Sequence, residues 1–157
     1  MEIPDGPFVA LYGSHSGDWR LPLIARFERE GVAWFDPTNE GWDGIDATNG
    51  DARQTDIDAL VAREHAALQR AGCVVFYLAR RRREQGRETG ATTIALASRC
   101  EFGFLIGRGI PTCFHIEPDV EGRNYLWAAA LNHPHMVRCD SLDEAVARAI
   151  SRVRKIT

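Results

Sequence analysis

Apolar and polar positions alternate between two periods along this chain. Phe8 to Tyr12 is a short apolar run that ends in the polar, glycine-bounded Gly13-Ser14-His15-Ser16-Gly17, the pattern of a strand followed by a βα loop. Asp18 to Glu30 carries Leu21, Leu23, Ile24 and Phe27 at helical spacing, with Asp18 placed to cap the start and Gly31 to close the end. Val32 to Phe35 reads as a second strand, stopped by Asp36-Pro37. A helix follows from about Ala52 to Ala71, with Ile57, Leu60, Val61 and Leu68 on one side. Cys73 to Leu78 is almost continuously apolar, which marks a central parallel strand buried on both faces. Thr92 to Gly107 reads as a helix, with Gly107 and Gly109 expected to end it, and Ile110 to Ile116 as a fourth strand. Asn124 to Leu131 predicts a short helix and Met136 to Cys139 a fifth strand. Ser141 is set to cap a last helix with Asp143 and Glu144 in its first turn.

Strands alternating with helices at this spacing predict an α/β fold with one parallel sheet and right-handed crossovers. Five strands suit a flavodoxin-like (Rossmann-like) three-layer sandwich, order 2-1-3-4-5, with helices on both faces. In such sheets ligands bind beyond the carboxyl ends of the strands, near the switch between strands 1 and 3. The 157 residues are expected to form a single domain spanning 1–157.

Composition narrows the function classes. A hydrophobic content of 45% with 26% charged residues is that of a soluble globular protein. The net charge of -3 gives no electrostatic case for nucleic acid or an anionic membrane as partner. No stretch approaches a membrane span, and the N-terminus lacks a basic-then-apolar leader pattern, so a cytoplasmic location is expected. Cys73, Cys100, Cys113 and Cys139 form no CxxC pair. They are expected to be buried free thiols, with no metal site.

The segments leaving the carboxyl ends of the strands hold the candidate chemistry. After strand 1 come Gly13, Ser14 and His15, then Trp19 and Arg20. After strand 2 come Asp36, Asn39 and Trp42, the last alone in a polar loop from Thr38 to Asp51. After strand 3 comes a charged loop, Ala79 to Gly90, with Arg80 to Arg83, and then the helix bearing Ser98 and Glu101. Small residues, hydroxyls and backbone N–H groups after strand 1 are suited to a ribose or a phosphate. The loop matches neither GxGxxG nor the Walker pattern, so no cofactor is expected. Glu101 stands among the apolar Phe102, Leu105 and Ile106; a carboxylate on such a face is costly to bury unless something uses it.

These segments together resemble the nucleoside 2-deoxyribosyltransferase-like family. Leu11-Tyr12-Gly13-Ser14 and Trp19-Arg20 stand for its opening strand and loop. Phe35-Asp36-Pro37 with Trp42 stands for its second-strand turn. Arg63-Glu64-His65-Ala66-Ala67-Leu68-Gln69-Arg70-Ala71-Gly72 stands for its central helix, where Arg63 and Gly72 replace the family's tryptophan and aspartate. Glu101-Phe102-Gly103 with Gly109-Ile110-Pro111 stands for its nucleophile motif. The resemblance covers roughly residues 8 to 116 and implies cleavage of the N-glycosidic bond of a nucleoside or nucleotide, with transfer to another base or to water. It implies Glu101 as nucleophile and Glu64 as a second catalytic acid. Tyr12, Gly13, Ser14, His15, Trp19, Arg20, Asp36, Trp42 and Ser98 are then substrate-binding candidates. It also implies a homo-oligomer; in some members an asparagine from a neighbouring subunit completes the site, and Asn124 and Asn132 are the candidates for it here. Two other readings stay open: a nucleotide-binding or sensing module that kept the fold and lost the chemistry, and a flavodoxin-type flavin protein.

Overall fold

The computed structural model describes residues 2–14, 19–39, 54–79 and 91–156. Within them run β1 (Val9–Gly13), α1 (Arg20–Glu30), β2 (Trp34–Phe35), a single 3-10 turn (Pro37–Asn39), α2 (Gln54–Arg70), β3 (Cys73–Leu78), α3 (Ala91–Arg108), β4 (Thr112–Ile116), α4 (Arg123–Ala130), β5 (Met136–Arg138) and α5 (Leu142–Arg154). The strands form one five-stranded sheet in the order β2-β1-β3-β4-β5, and all four pairings are parallel. This is the flavodoxin-like arrangement that the alternation predicts.

The pleat sorts the side chains into two cores. Phe8, Ala10 and Tyr12 from the first strand segment, Val74, Phe76 and Leu78 from β3, and Phe114 and Ile116 from β4 pack against α2, α3 and α4. Val9, Leu11, Cys73, Val75 and Cys113 face the other way, against α1 and α5. Successive residues therefore alternate between the two layers, as a parallel strand covered on both faces requires.

Two helix ends follow one rule. Gly31 (φ 65°) follows α1, its N–H donating to the Glu28 carbonyl while the Val32 N–H reaches back to Phe27. Gly109 (φ 68°) follows α3 in the same way, with Gly109 N–H on Ile106 and Ile110 N–H on Leu105. Both are Schellman closures, in which a left-handed residue returns the chain onto its own last turn. The helix therefore runs through Gly107, contrary to the expectation that Gly107 ends it. At the other end, the residue capping α1 is Trp19, without a side-chain cap bond; Asp18, expected there, lies outside the described residues. Ser141 caps α5 as expected, its Oγ accepting from the Glu144 N–H while Glu144 takes the Asp140 N–H.

Cys73, Cys113 and Cys139 are buried free thiols, but Cys100 is exposed, because it points away from the face of α3 that carries Phe102 and Leu105. Among the described residues no helix is long and apolar enough to cross a membrane.

Candidate active site

Strands β1 and β3 lie side by side with their crossover helices on opposite faces of the sheet, which makes their carboxyl ends the switch point where sheets of this kind take ligands. Gly13 ends β1 at φ 117°, and a Cβ there would fall 2.0 Å from the Tyr77 carbonyl oxygen. Only glycine lets β1 lie this close to β3. Ser14 then locks the two strand ends together. Its N–H donates to Tyr77 O (2.8 Å), its hydroxyl donates to Ala79 O (3.1 Å), and the Ala79 N–H donates back to that hydroxyl (2.9 Å). The serine hydroxyl thus has both of its strong partners within the protein.

The Ser14 carbonyl gathers the start of α1. It accepts from Trp19 Nε1 and from Arg20 Nη1, each at 2.8 Å. The Trp19 ring meets Tyr77 edge-on at 5.2 Å, and the Arg20 guanidinium lies over its face at 4.3 Å. Trp19 packs with the α1 and α5 core, on the other side of the sheet from Glu101, and there it serves the loop's architecture.

Arg20 is buried, and its Nε lies 3.2 Å from Asp36 Oδ1, in an ion pair too bent to be a hydrogen bond. Asp36 Oδ1 also accepts from the N–H and hydroxyl of Thr38 (2.9 and 2.7 Å), so Asp36 caps the short turn after β2. One aspartate thereby ties the β2 end to α1. Burial pulls the Arg20 guanidinium below its ordinary value, opposed by Asp36 and then Glu101.

On the opposite face, Tyr12 is buried and donates its hydroxyl to the main-chain carbonyl of Glu64 on α2 (3.1 Å). Burial pushes the phenol far above its ordinary value, and the carboxylates of Glu64, Glu101 and Asp36 add to that. Glu101 projects from α3 into this neighbourhood. The residue is half-buried, but its Oε2 is sealed from solvent and has no hydrogen-bond partner among the described residues. Burial first, then the charge of Glu64, push its carboxyl up to about 8, while Arg20 pulls it down. Three residues earlier, on the same side of the helix, Ser98 is buried with its Oγ also unpartnered. Two orphaned polar atoms one turn apart mark a place where a polar ligand would be accepted.

Glu101, Glu64, Tyr12, Ser98, Arg20 and Asp36 therefore share one electrostatic neighbourhood. Gly13, Ser14 and Trp19 build the loop beside it and spend their polar groups on the protein. His15, Trp42 and the Arg80 to Arg83 run lie outside the described residues. The two departures from the family pattern separate in space. Gly72 sits at the amino end of β3, where a Cβ would come within 3.2 Å of Val153 Cγ2. That is the end of the sheet opposite Glu101, so an aspartate there would press on the side chains of α5 rather than reach Glu101. Arg63 is half-buried on α2 beside Glu64.

A residue that the motif pattern passes over is Tyr77. Its ring supports Trp19, its carbonyl receives Ser14, and its hydroxyl donates to Glu117 Oε1 at 2.8 Å. Strand alternation from Cys73 is enough to place Tyr77 on the α1 side. Its polar tip at a strand's carboxyl end was the available signal.

A search of curated proteins finds no match. The sequence model described as nucleoside 2-deoxyribosyltransferase like matches residues 7–119, more than half of the chain, from the strand before the Gly13 loop to the turn after β4. That span takes in Tyr12, Glu64 and Glu101 together, and the chain belongs to the nucleoside 2-deoxyribosyltransferase-like family.

Proposed function

We propose that the protein cleaves the N-glycosidic bond of a nucleoside or nucleotide, with Glu101 as nucleophile. The observation that carries this reading is the unpartnered Oε2 of Glu101, buried beside a second carboxylate and one helical turn from the unpartnered Ser98 hydroxyl. Attack of a Glu101 oxygen on the anomeric carbon forms a glycosyl ester as the bond from that carbon to the base nitrogen breaks. The departing base takes a proton from Glu64 or from water held by it. Water or a second base, giving its proton to Glu64, then attacks the same carbon and releases the Glu101 carboxylate, giving hydrolysis or transfer. Glu64 raises the proton affinity of Glu101, so attack requires that proton to leave Glu101; passed to Glu64, it becomes the proton that the departing base takes. The (deoxy)ribosyl group would lie against Ser98 and Glu101, with Arg20 as the counter-charge behind them. A homo-oligomer in the cytoplasm is part of the same proposal.

A second reading, a nucleotide-binding or sensing module, is favoured by one observation: a carboxyl raised to about 8 is mostly protonated at neutral pH, and a protonated acid does not attack. The test is incubation with a panel of nucleosides, nucleoside monophosphates and NAD, followed by chromatography for free base. Release that is lost in Glu101→Ala is the expected result. Release that survives Glu101→Ala overturns the nucleophile assignment. No release from wild type, with ligand binding unaltered in Glu101→Ala, assigns the binding module.

A further inference from the structure

Away from Glu101, three arginines from three elements lie around the amino-terminal half of α4. Arg99 of α3 donates Nη2 to the Glu121 carbonyl at 2.6 Å, and its guanidinium stands 3.6 Å from where a Gly122 Cβ would lie. It therefore sits at the start of α4. Arg123, the first residue of α4, lies over the Trp127 ring with its guanidinium carbon 3.7 Å from the centroid, and Arg138 at the end of β5 lies 4.5 Å from the same centroid. None of the three forms an ion pair with a carboxylate among the described residues.

The placement is electrostatically odd in two independent ways. The amino end of a helix carries partial positive charge and favours acids or anions. The first turn of α4 has no acidic residue, and its N-cap, Gly122 at φ 76°, has no side chain to offer. Two guanidinia stand there instead. Second, Arg99 Nε, Arg123 Nε and Trp127 Nε1 are buried donors without an acceptor among the described residues. Buried donors are normally satisfied, and such a set asks for an acceptor that the described residues do not supply. A planar guanidinium held against an aromatic face is the form in which arginine takes phosphate, because stacking fixes the fork and lowers the cost of ordering it.

We infer that the amino-terminal half of α4 is an oxyanion site for a phosphate group, formed by Arg99, Arg123, Arg138 and the indole N–H of Trp127. A dianionic phosphate matches three positive charges and a helix terminus better than a single carboxylate does. The site is separate from the proposed nucleophile: Arg99 and Glu101 are two residues apart on α3 and project about 200° apart around it. It does not rest on the glycosidic reading.

The test uses the full chain at constant ionic strength held with sodium chloride. Binding of inorganic phosphate, of a deoxynucleoside 5′-monophosphate and of the matching nucleoside is followed by calorimetry and by the melting temperature. Phosphate binds saturably and raises the melting temperature of wild type. Arg99→Gln and Arg123→Gln each weaken it by about tenfold or more, the loss of a charged hydrogen-bond partner. Glu101→Gln leaves phosphate affinity unchanged, which separates this site from that of Glu101. A monophosphate that binds tighter than both phosphate and nucleoside, and loses that gain in Arg123→Gln, identifies a nucleotide as the source. Equal affinity for phosphate and monophosphate identifies the free ion. Absence of saturable phosphate binding overturns the inference, as does binding unchanged in folded Arg99→Gln and Arg123→Gln. Should Arg123→Gln fail to fold, Arg138→Gln takes its place, with the same two outcomes.

Discussion

Replacing Glu101 by glutamine is predicted to stabilise the protein at alkaline pH and to have little effect at acidic pH. In the unfolded chain the carboxyl titrates near its ordinary 4.5, and in the folded protein it is pushed up to about 8. The folded state therefore holds a proton that the unfolded state has released throughout that interval. Stability contributed by the neutral form is complete below 4.5 and is lost as the pH rises through about 8. At about 1.4 kcal/mol per pH unit, the ceiling on this loss is about 5 kcal/mol. Glu101 is only half-buried, so part of that ceiling is screened and about 2–4 kcal/mol is expected. Glutamine is neutral at every pH and close in shape, so its fixed cost or gain from altered hydrogen bonding is an offset. The pH slope is the signal. Urea unfolding of wild type and Glu101→Gln from about pH 4 to about pH 9 should show the variant gaining steadily on wild type, equivalent to about 5–15 °C in melting temperature at the alkaline end. A stability difference that stays flat across that range would refute the claim that the sealed Oε2 is the source of the shift. The same variant is predicted to lose base release, so it would gain stability where it loses the proposed chemistry.

The pH–rate profile follows from the same ionisation. If the Glu101 anion attacks, kcat/KM for base release rises with pH toward a plateau above about 8, and a profile that falls through this region would give Glu101 the role of acid instead. Gly13→Ala is expected to cost about 3 kcal/mol or more, because its Cβ would overlap the Tyr77 carbonyl at 2.0 Å on a backbone at φ 117°; chemical denaturation measures it, and a near-neutral result would mean that β1 and β3 can part without penalty. Arg20→Gln leaves Asp36 buried without its charge partner, which should cost about 3 kcal/mol, and it removes a positive charge that acts on Glu101. Its rate profile, measured on the folded fraction, should therefore move to higher pH, and an unmoved profile would disconnect Arg20 from the nucleophile.

How much of this was legible in the sequence depends on whether the deciding interaction is local. The strands and helices were, because burial on both faces of a parallel strand leaves an apolar run such as Cys73 to Leu78, and a helix leaves the spacing of Leu23 and Phe27. The end of α3 was legible only in part. Gly107 and Gly109 both offer a left-handed residue, but Gly109 alone is followed by an apolar residue, Ile110, which returns its N–H to Leu105 and packs into the same core. The polar roles were not legible, since they depend on which atoms the fold brings together. Ser14 reads as a ligand hydroxyl until the main chain of Ala79, 65 residues away, takes both its bonds. Gly72 reads as a damaged site residue until α5 is found packed against it.

Glu101 and Arg99 carry that point furthest. Both are ionisable residues in one helical run, and a linear reading ranks the first by motif and passes over the second. Placed on α3, they face opposite sides, and each holds a buried polar atom without a partner among the described residues: a carboxylate oxygen on one side, a guanidinium nitrogen on the other. The acid lies beside another acid, which raises its proton affinity, and the base lies beside other bases at a helix amino end. Both arrangements oppose folding in the isolated chain, and both would be relieved by a ligand of the opposite character. A sugar cation developing at the anomeric carbon would stabilise the ionised form of Glu101, as a phosphate would stabilise the arginines. Among the described residues, the two sides of α3 thus each carry an unfavourable polar placement, and a ligand bound at either recovers part of its cost.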